Sequence, residues 1–130
     1  MAYEIPGFSF TLPSAADYTA GGAKFRFVIV NATAKAVLAT GATGALAGAV
    51  VGVCQVSPRL NEEMTIVHNG ITFMVAGGAI APGGLVTSDA TGRAVAATVG
   101  QVALGVALET ASGVGIQIAV LLKPSVTLAP

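Results

Sequence analysis

The side chains able to do chemistry in this chain are few and widely spaced. There is one histidine, His68, and one cysteine, Cys54. A single imidazole excludes metal sites built on paired histidines, and a single thiol excludes an intramolecular disulfide framework. Cys54 closes the apolar run Val50-Val51-Gly52-Val53. That is the setting of a buried structural thiol, whereas a nucleophile needs an accessible, electropositive site. No Gly-x-Ser-x-Gly elbow occurs to expose a serine. Glu62 and Glu63 are adjacent, so on a strand they point to opposite faces and cannot act together as acid and base. Asp89, between Ser88 and Thr91, suits a turn through its side-chain cap and offers too few oxygens for calcium. Glu109 closes an apolar strand, where an ion pair with Lys123 or Arg93, or a contact across a subunit boundary, would hold it. The sequence therefore predicts no enzyme, no metal, no cofactor and no small-molecule substrate.

Composition narrows the remaining classes. The 130 residues are 54% hydrophobic, yet only 5% are aromatic and 9% charged, with zero formal net charge. Abundant Gly, Ala and Val with few long helix formers favours an all-β chain of one domain. A neutral chain lacks the Lys and Arg excess that neutralises phosphates, so no nucleic-acid partner is expected, and no polybasic patch addresses anionic lipid. So few charges leave a monomer poorly solvated, which points to an assembly that covers much of its surface. The opening MAYEIPGFSF has neither the basic start nor the apolar core of a secretory signal.

The elements that must carry these residues follow in order. Residues 1–24 read as an extended N-terminal arm, broken by Pro6, Pro13 and Gly21-Gly22 and loaded with Tyr3, Phe8, Phe10 and Tyr18. Aromatics bring large contact area, so this arm should dock on its own domain, a neighbouring subunit or a larger partner. Phe25 to Val30 alternates as a first strand. From Ala36 to Pro58 no charge occurs, a length able to span a bilayer. Against a span stand Thr40, Thr43, Gln55 and Ser57 and the lack of Trp or Tyr anchors. Two strands around Gly41-Ala42-Thr43-Gly44, the second from Ala49 to Val56, are the preferred reading, so no membrane partner is expected.

Asn69-Gly70 flanked by Met64–His68 and Ile71–Val75 has the form of a two-residue hairpin. That hairpin would place Met64, Ile66, Ile71, Phe73 and Val75 on one face. Leu85–Thr87, a Ser88–Gly92 turn and Arg93–Val95 form a second pair. In 102–108 the large residues fall on even positions, with Ala103, Gly105 and Ala107 between them. In 116–122, Ile116, Ile118, Val120 and Leu122 share a face. The small face of 103–107 would let another backbone, from the same chain or a neighbour, approach closely. The predicted fold is all-β: a small β-barrel or sandwich of short antiparallel strands over 25–123, with the arm before it and a proline-bracketed tail, 124–130.

In this order the strands resemble the capsid cement, or head decoration, proteins of tailed bacteriophages. The likeness is carried by Gly78-Ala79-Ile80-Ala81-Pro82-Gly83-Gly84-Leu85-Val86-Thr87, then Asp89–Val95, Val102–Thr110 and Ile116–Pro124, with Gly52-Val53-Cys54 upstream. The resemblance implies a structural virion protein on the outer surface of the capsid. Such a protein would bind the major capsid protein, clamp neighbouring subunits and form a homotrimer. Tyr3, Phe8, Phe10, Tyr18, Ala103, Gly105, Ala107 and Glu109 are then the expected contact residues. The small face would lie at a trimer axis, with Glu109 and Lys123 as its polar rim. A tail-tube or adhesion module, and a membrane protein spanning 36–58, are the alternatives.

Overall fold

Glu63–Val75 is one unbroken strand of 13 residues, and the fold is assembled on it. The computed structural model describes residues 5–20, 22–39 and 49–128, with the side chains of 5–7 and 124–128 outside that description. Among the described residues there are nine strands: β1 (Ile5–Pro13), β2 (Phe27–Val30), β3 (Ala36–Leu38), β4 (Gly52–Cys54), β5 (Glu63–Val75), β6 (Leu85–Ser88), β7 (Ala94–Ala96), β8 (Val102–Ala107) and β9 (Gln117–Leu128). All pair antiparallel in one curled sheet, ordered β3-β2-β4-β5-β9-β8-β6-β7, with β1 added on β5. The all-β, barrel-like expectation holds.

The hairpin expected at Asn69-Gly70 does not form, because each half of β5 pairs with distant strands instead of with the other half. Ile66 has both Phe10 and Cys54 as partners, and Ile71 has both Ile5 and Leu121. A residue's two partners lie on opposite edges. Hence β1 occupies one edge of β5, while β4 and then β9 share the other. The Asn69-Gly70 step absorbs an irregularity instead of a reversal. Gly70 has φ 93°, a left-handed value that glycine adopts without penalty. Opposite it the β1 register shifts twice, spending Gly7 and then His68 as extra residues. Alternation slips across this step, so that Val67 and Met74, seven apart, enter the same apolar cluster.

Two lobes result. One is β3-β2-β4 with the first half of β5; the other is the second half of β5 with β9-β8-β6-β7. Phe27, Val53 and Val67 of the first pack against Met74, Val86, Ala107, Ile118, Val120 and Leu122 of the second. A second cluster, on the far face of the first lobe, contains Val28, Ala36, Cys54, Met64 and Ile66. Phe10, Leu12 and Tyr18 cover it. The stretch 36–58, charge-free in sequence, supplies β3 and β4, each paired to β2 rather than to the other. The Gly41–Gly44 turn lies outside the described residues. No helix among the described residues is long and apolar enough to cross a membrane.

The N-terminal segment is therefore a working part of this core. Beyond β1, Ser14 is fully buried; its N–H donates to the Glu62 carbonyl at 2.9 Å and its carbonyl accepts from Asn61 N–H at 2.9 Å. Tyr18 N–H donates to the Pro58 carbonyl at 2.8 Å, and its hydroxyl oxygen accepts from Leu38 N–H at 3.1 Å. Deleting residues 1–22 should strip one face from Met64 and Ile66 and unpair an edge of β5. At about 1.5–3 kcal/mol per uncovered large side chain, the loss approaches the roughly 5–15 kcal/mol that holds a domain folded. Circular dichroism of the truncated chain should show a lost sheet signal or a much lower melting midpoint. An unchanged midpoint would contradict this packing.

Candidate functional site

The side chains singled out for chemistry are held by the fold in structural roles. Cys54 is buried in β4, and its Sγ–H donates to the Val56 carbonyl at 3.0 Å. Burial pushes its thiol pKa up, outweighing that hydrogen bond. Asp89 caps the β6–β7 turn. Its Oδ1 accepts from the N–H groups of Thr91 and Arg93, both at 2.9 Å, and from the Thr91 hydroxyl at 3.1 Å. Its Oδ2 takes the Arg93 guanidinium at 2.9 Å. Burial alone would raise the Asp89 pKa, yet these donors together hold it below the usual carboxylate range. The ion pair expected between Glu109 and Lys123 or Arg93 is not formed: Arg93 pairs with Asp89, and Glu109 Oε1 accepts from Ala119 N–H at 2.8 Å, across the β8–β9 connection. Glu62 and Glu63 are exposed. Among the described residues no group of three His, Cys, Asp or Glu side chains could hold a metal ion.

His68 is not the turn-end residue that a hairpin would make it. It sits inside β5 at the register slip, its ring edge-to-face with Phe8 at 6.0 Å and 81°. Its Nδ1 lies 3.4 Å from the Val51 carbonyl oxygen. His68, Phe8, Phe10, Val50 and Val51 line an open apolar cleft of about 310 Å3. Phe8, at 58% exposure, stands at its rim. Of the expected arm contacts, Phe8 is thus on the surface, while Phe10 and Tyr18 pack on the chain's own core. Tyr3 lies outside the described residues. Val50 and Val51 carried no sequence signal beyond apolarity, since their partner Phe8 is far away in the chain.

The small face of β8 points inward. Ala103 and Ala107 are buried, and a β-carbon at Gly105 would stand 2.5 Å from the Leu121 carbonyl oxygen. The close backbone approach predicted for this face is made with the chain's own β9. Gly105 lies opposite Leu122 and Ala107 opposite Val120, so small residues on one strand accommodate large ones on the next. Val106, and Leu108 just past the strand, face outward instead, whereas Val102 is buried and Leu104, at the register shift between Ala103 and Gly105, packs against the core. Leu85, Val106, Leu121 and Ile71 form a row across four strands, each half-buried. Phe73, Ala119 and Leu108 form the row beside it, where Ala119 is fully buried, Phe73 half-buried and Leu108 40% exposed. Neither row contains a charge; Lys123, exposed, stands at the margin. The first lobe has both faces covered by the chain itself, whereas the second lobe presents this apolar outer face.

No protein-family model and no curated protein matches the chain. Among solved structures it is similar to the N base of the head fiber protein gp8.5 of bacteriophage phi29. The TM-score is 0.62 at 16% identity, over 92% of this chain and 97% of that one. The two chains share a fold.

Two expectations follow from the geometry. In the native protein Cys54 should resist a water-soluble disulfide reagent such as dithionitrobenzoate, and react fully once denatured; fast native labelling would place the thiol elsewhere. The Asp89 carboxylate, with its pKa held down by folding, stabilises at neutral pH, and that contribution is lost as pH falls through its folded pKa. Asp89→Ala should cost about 1.5–3 kcal/mol at pH 7, the range for hydrogen bonds to a charged group. The gap between variant and parent should narrow in acid, as read from urea midpoints; a pH-independent gap would refute the assignment.

Proposed function

We propose that this chain is a structural component of a bacteriophage virion, seated on the outer surface of the head. In this reading it is a capsid decoration, or cement, protein with a structural role and no catalytic one. It binds the major capsid protein across subunit junctions, associates as a homotrimer and so stabilises the capsid. The observation that carries the reading is the shared fold with the phi29 head-fiber base, over nearly the full length of both chains. The order of small-residue motifs in the sequence supports it independently. The same likeness favours a second reading, in which the domain is the base by which a fiber stands on the head.

The surfaces that suit attachment are the outer face of the second lobe and the Phe8 rim of the cleft. Both are apolar, so the bond would come from buried area, at roughly 25 cal/mol per Å2, rather than from ion pairs. Purified protein should therefore bind empty phage heads, raise their thermal tolerance, and lose little affinity between about 0.05 and 0.5 M salt, where exposed charge pairs are screened. Val106→Glu puts a charge on the half-buried outer row. It should leave the fold intact while weakening head binding by about tenfold or more, as expected for a central interface position. Absence of head binding would sink the proposal; binding with the protein localised at the base of a projecting fiber would select the second reading.

A further inference from the structure

Two lobes that share a single strand must be fastened elsewhere or they can swing apart. The fastening is the stretch from Ala23 to Phe27. Phe25 N–H donates to the Cys54 carbonyl at 2.7 Å, at the end of β4, and the Phe25 carbonyl accepts from Val75 N–H at 3.0 Å, at the end of β5. Phe27 N–H reaches the Gly92 carbonyl at 2.7 Å, in the β6–β7 turn. The Arg26 guanidinium donates to the Thr91 carbonyl at 3.4 Å. The Phe25 ring meets Phe73 edge-on at 6.0 Å and 74°, with the Lys24 ammonium 5.1 Å from its centroid. The Gln55 side chain also crosses the same gap, its Nε2 donating to Thr72 Oγ1 at 2.9 Å.

This seam is strained where it is tightest. Phe25 has φ 61°, a left-handed conformation that a bulky residue holds only when its surroundings force it. Midway along the strand, between the halves that belong to the two lobes, β5 is already irregular at Asn69-Gly70, with Gly70 at φ 93° and two register shifts in its ladder with β1. We infer that Lys24–Phe27 is a strained clasp and that the protein opens at this seam as a unit, hinged on β5 at Asn69-Gly70, with each lobe remaining folded. Opening breaks the Phe25, Phe27 and Arg26 contacts and parts the cluster between the lobes. The second cluster, which lies wholly within the first lobe and its N-terminal cover, is untouched.

Native-state hydrogen exchange on the intact chain tests this, because a sub-global opening is seen as a group of amides exchanging together ahead of global unfolding. The amides of Phe27 and Val75, whose bonds cross between the lobes, should exchange as one group, at least about tenfold faster than the β8–β9 ladder after correction for intrinsic rates. Two variants then separate clasp from whole-molecule unfolding. Ile66→Val weakens the second cluster, which survives opening. It should speed the globally exchanging amides by roughly 2–12-fold and leave the seam group unchanged. Phe25→Ala removes the ring but keeps the forced backbone, so the seam group should speed up. Phe25→Gly relieves the backbone as well and should open less readily than Phe25→Ala, reversing the usual order of Ala over Gly. The inference is overturned if seam and ladder amides exchange at one rate, if Ile66→Val accelerates the seam, or if Phe25→Gly opens more readily than Phe25→Ala. Should the Phe25 variants not fold, the parent and Ile66→Val patterns decide the matter.

Discussion

The backbone of β5 has to be paired along both edges for 13 residues, and no strand that reaches it is both long enough and free to follow it. A buried N–H or carbonyl left without a partner costs about 1–3 kcal/mol, so the deficit is met by several strands in turn. One edge is covered by β1 as far as Ile71; the other is divided between β4 and β9. Dividing an edge between two strands splits the sheet into two lobes. The same division fixes the place of the N-terminal segment, which completes an edge and a cluster together. It also leaves open lips that the Phe25 seam has to close.

Inside the lobes the limiting quantity is volume. β9 sends Ile118, Val120 and Leu122 into the core, and β8 answers with Ala107 and Gly105. Large residues on both strands would overpack a space already closed by the Leu121 backbone, at about 1–3 kcal/mol per misfit. The alternation that puts small residues of β8 inside necessarily puts Val106 and Leu108 outside. There they join Leu121, Leu85 and Ile71. The apolar outer face is thus the complement of the core: one strand alternation produces both.

What was legible in the sequence was local. The Ser88–Gly92 turn announces itself through Asp89 and Gly92, and alternation assigns two faces to Gly105–Leu108 and to Ile118–Leu122, but it fails at the register shift between Ala103 and Gly105, where Leu104 packs against the core. Alternation alone cannot say which face is inward, because that depends on the neighbour across the ladder. The small face of β8 was open to a backbone of this chain or of a neighbour, and the large residues with which β9 fills the interior are what turn Gly105 and Ala107 inward. Asn69-Gly70 misled for a related reason. Its turn preference is a local energy, whereas β1, β4 and β9 offer pairing on both edges from positions far along the chain. The N-terminal segment, broken by prolines and rich in aromatics, reads as an arm until β5 supplies the edge it completes.

The polar groups that could carry chemistry are occupied by the fold: Asp89 by its turn, Glu109 by the Ala119 amide, Cys54 by the Val56 carbonyl. What the surface has left to offer a partner is apolar area, and its amount constrains the proposed attachment. Four strands about 4.8 Å apart, over about five residues at about 3.3 Å, give an outer face of roughly 300 Å2. A standard interface takes about 800 Å2 from each partner. The face is therefore too small to hold one copy firmly by itself. The proposed attachment would have to combine it with the Phe8 rim, or join several copies so that their weak contacts act together. With zero formal net charge, copies placed side by side in such a proposed arrangement would each add the same small area without the mutual repulsion that a charged surface would bring.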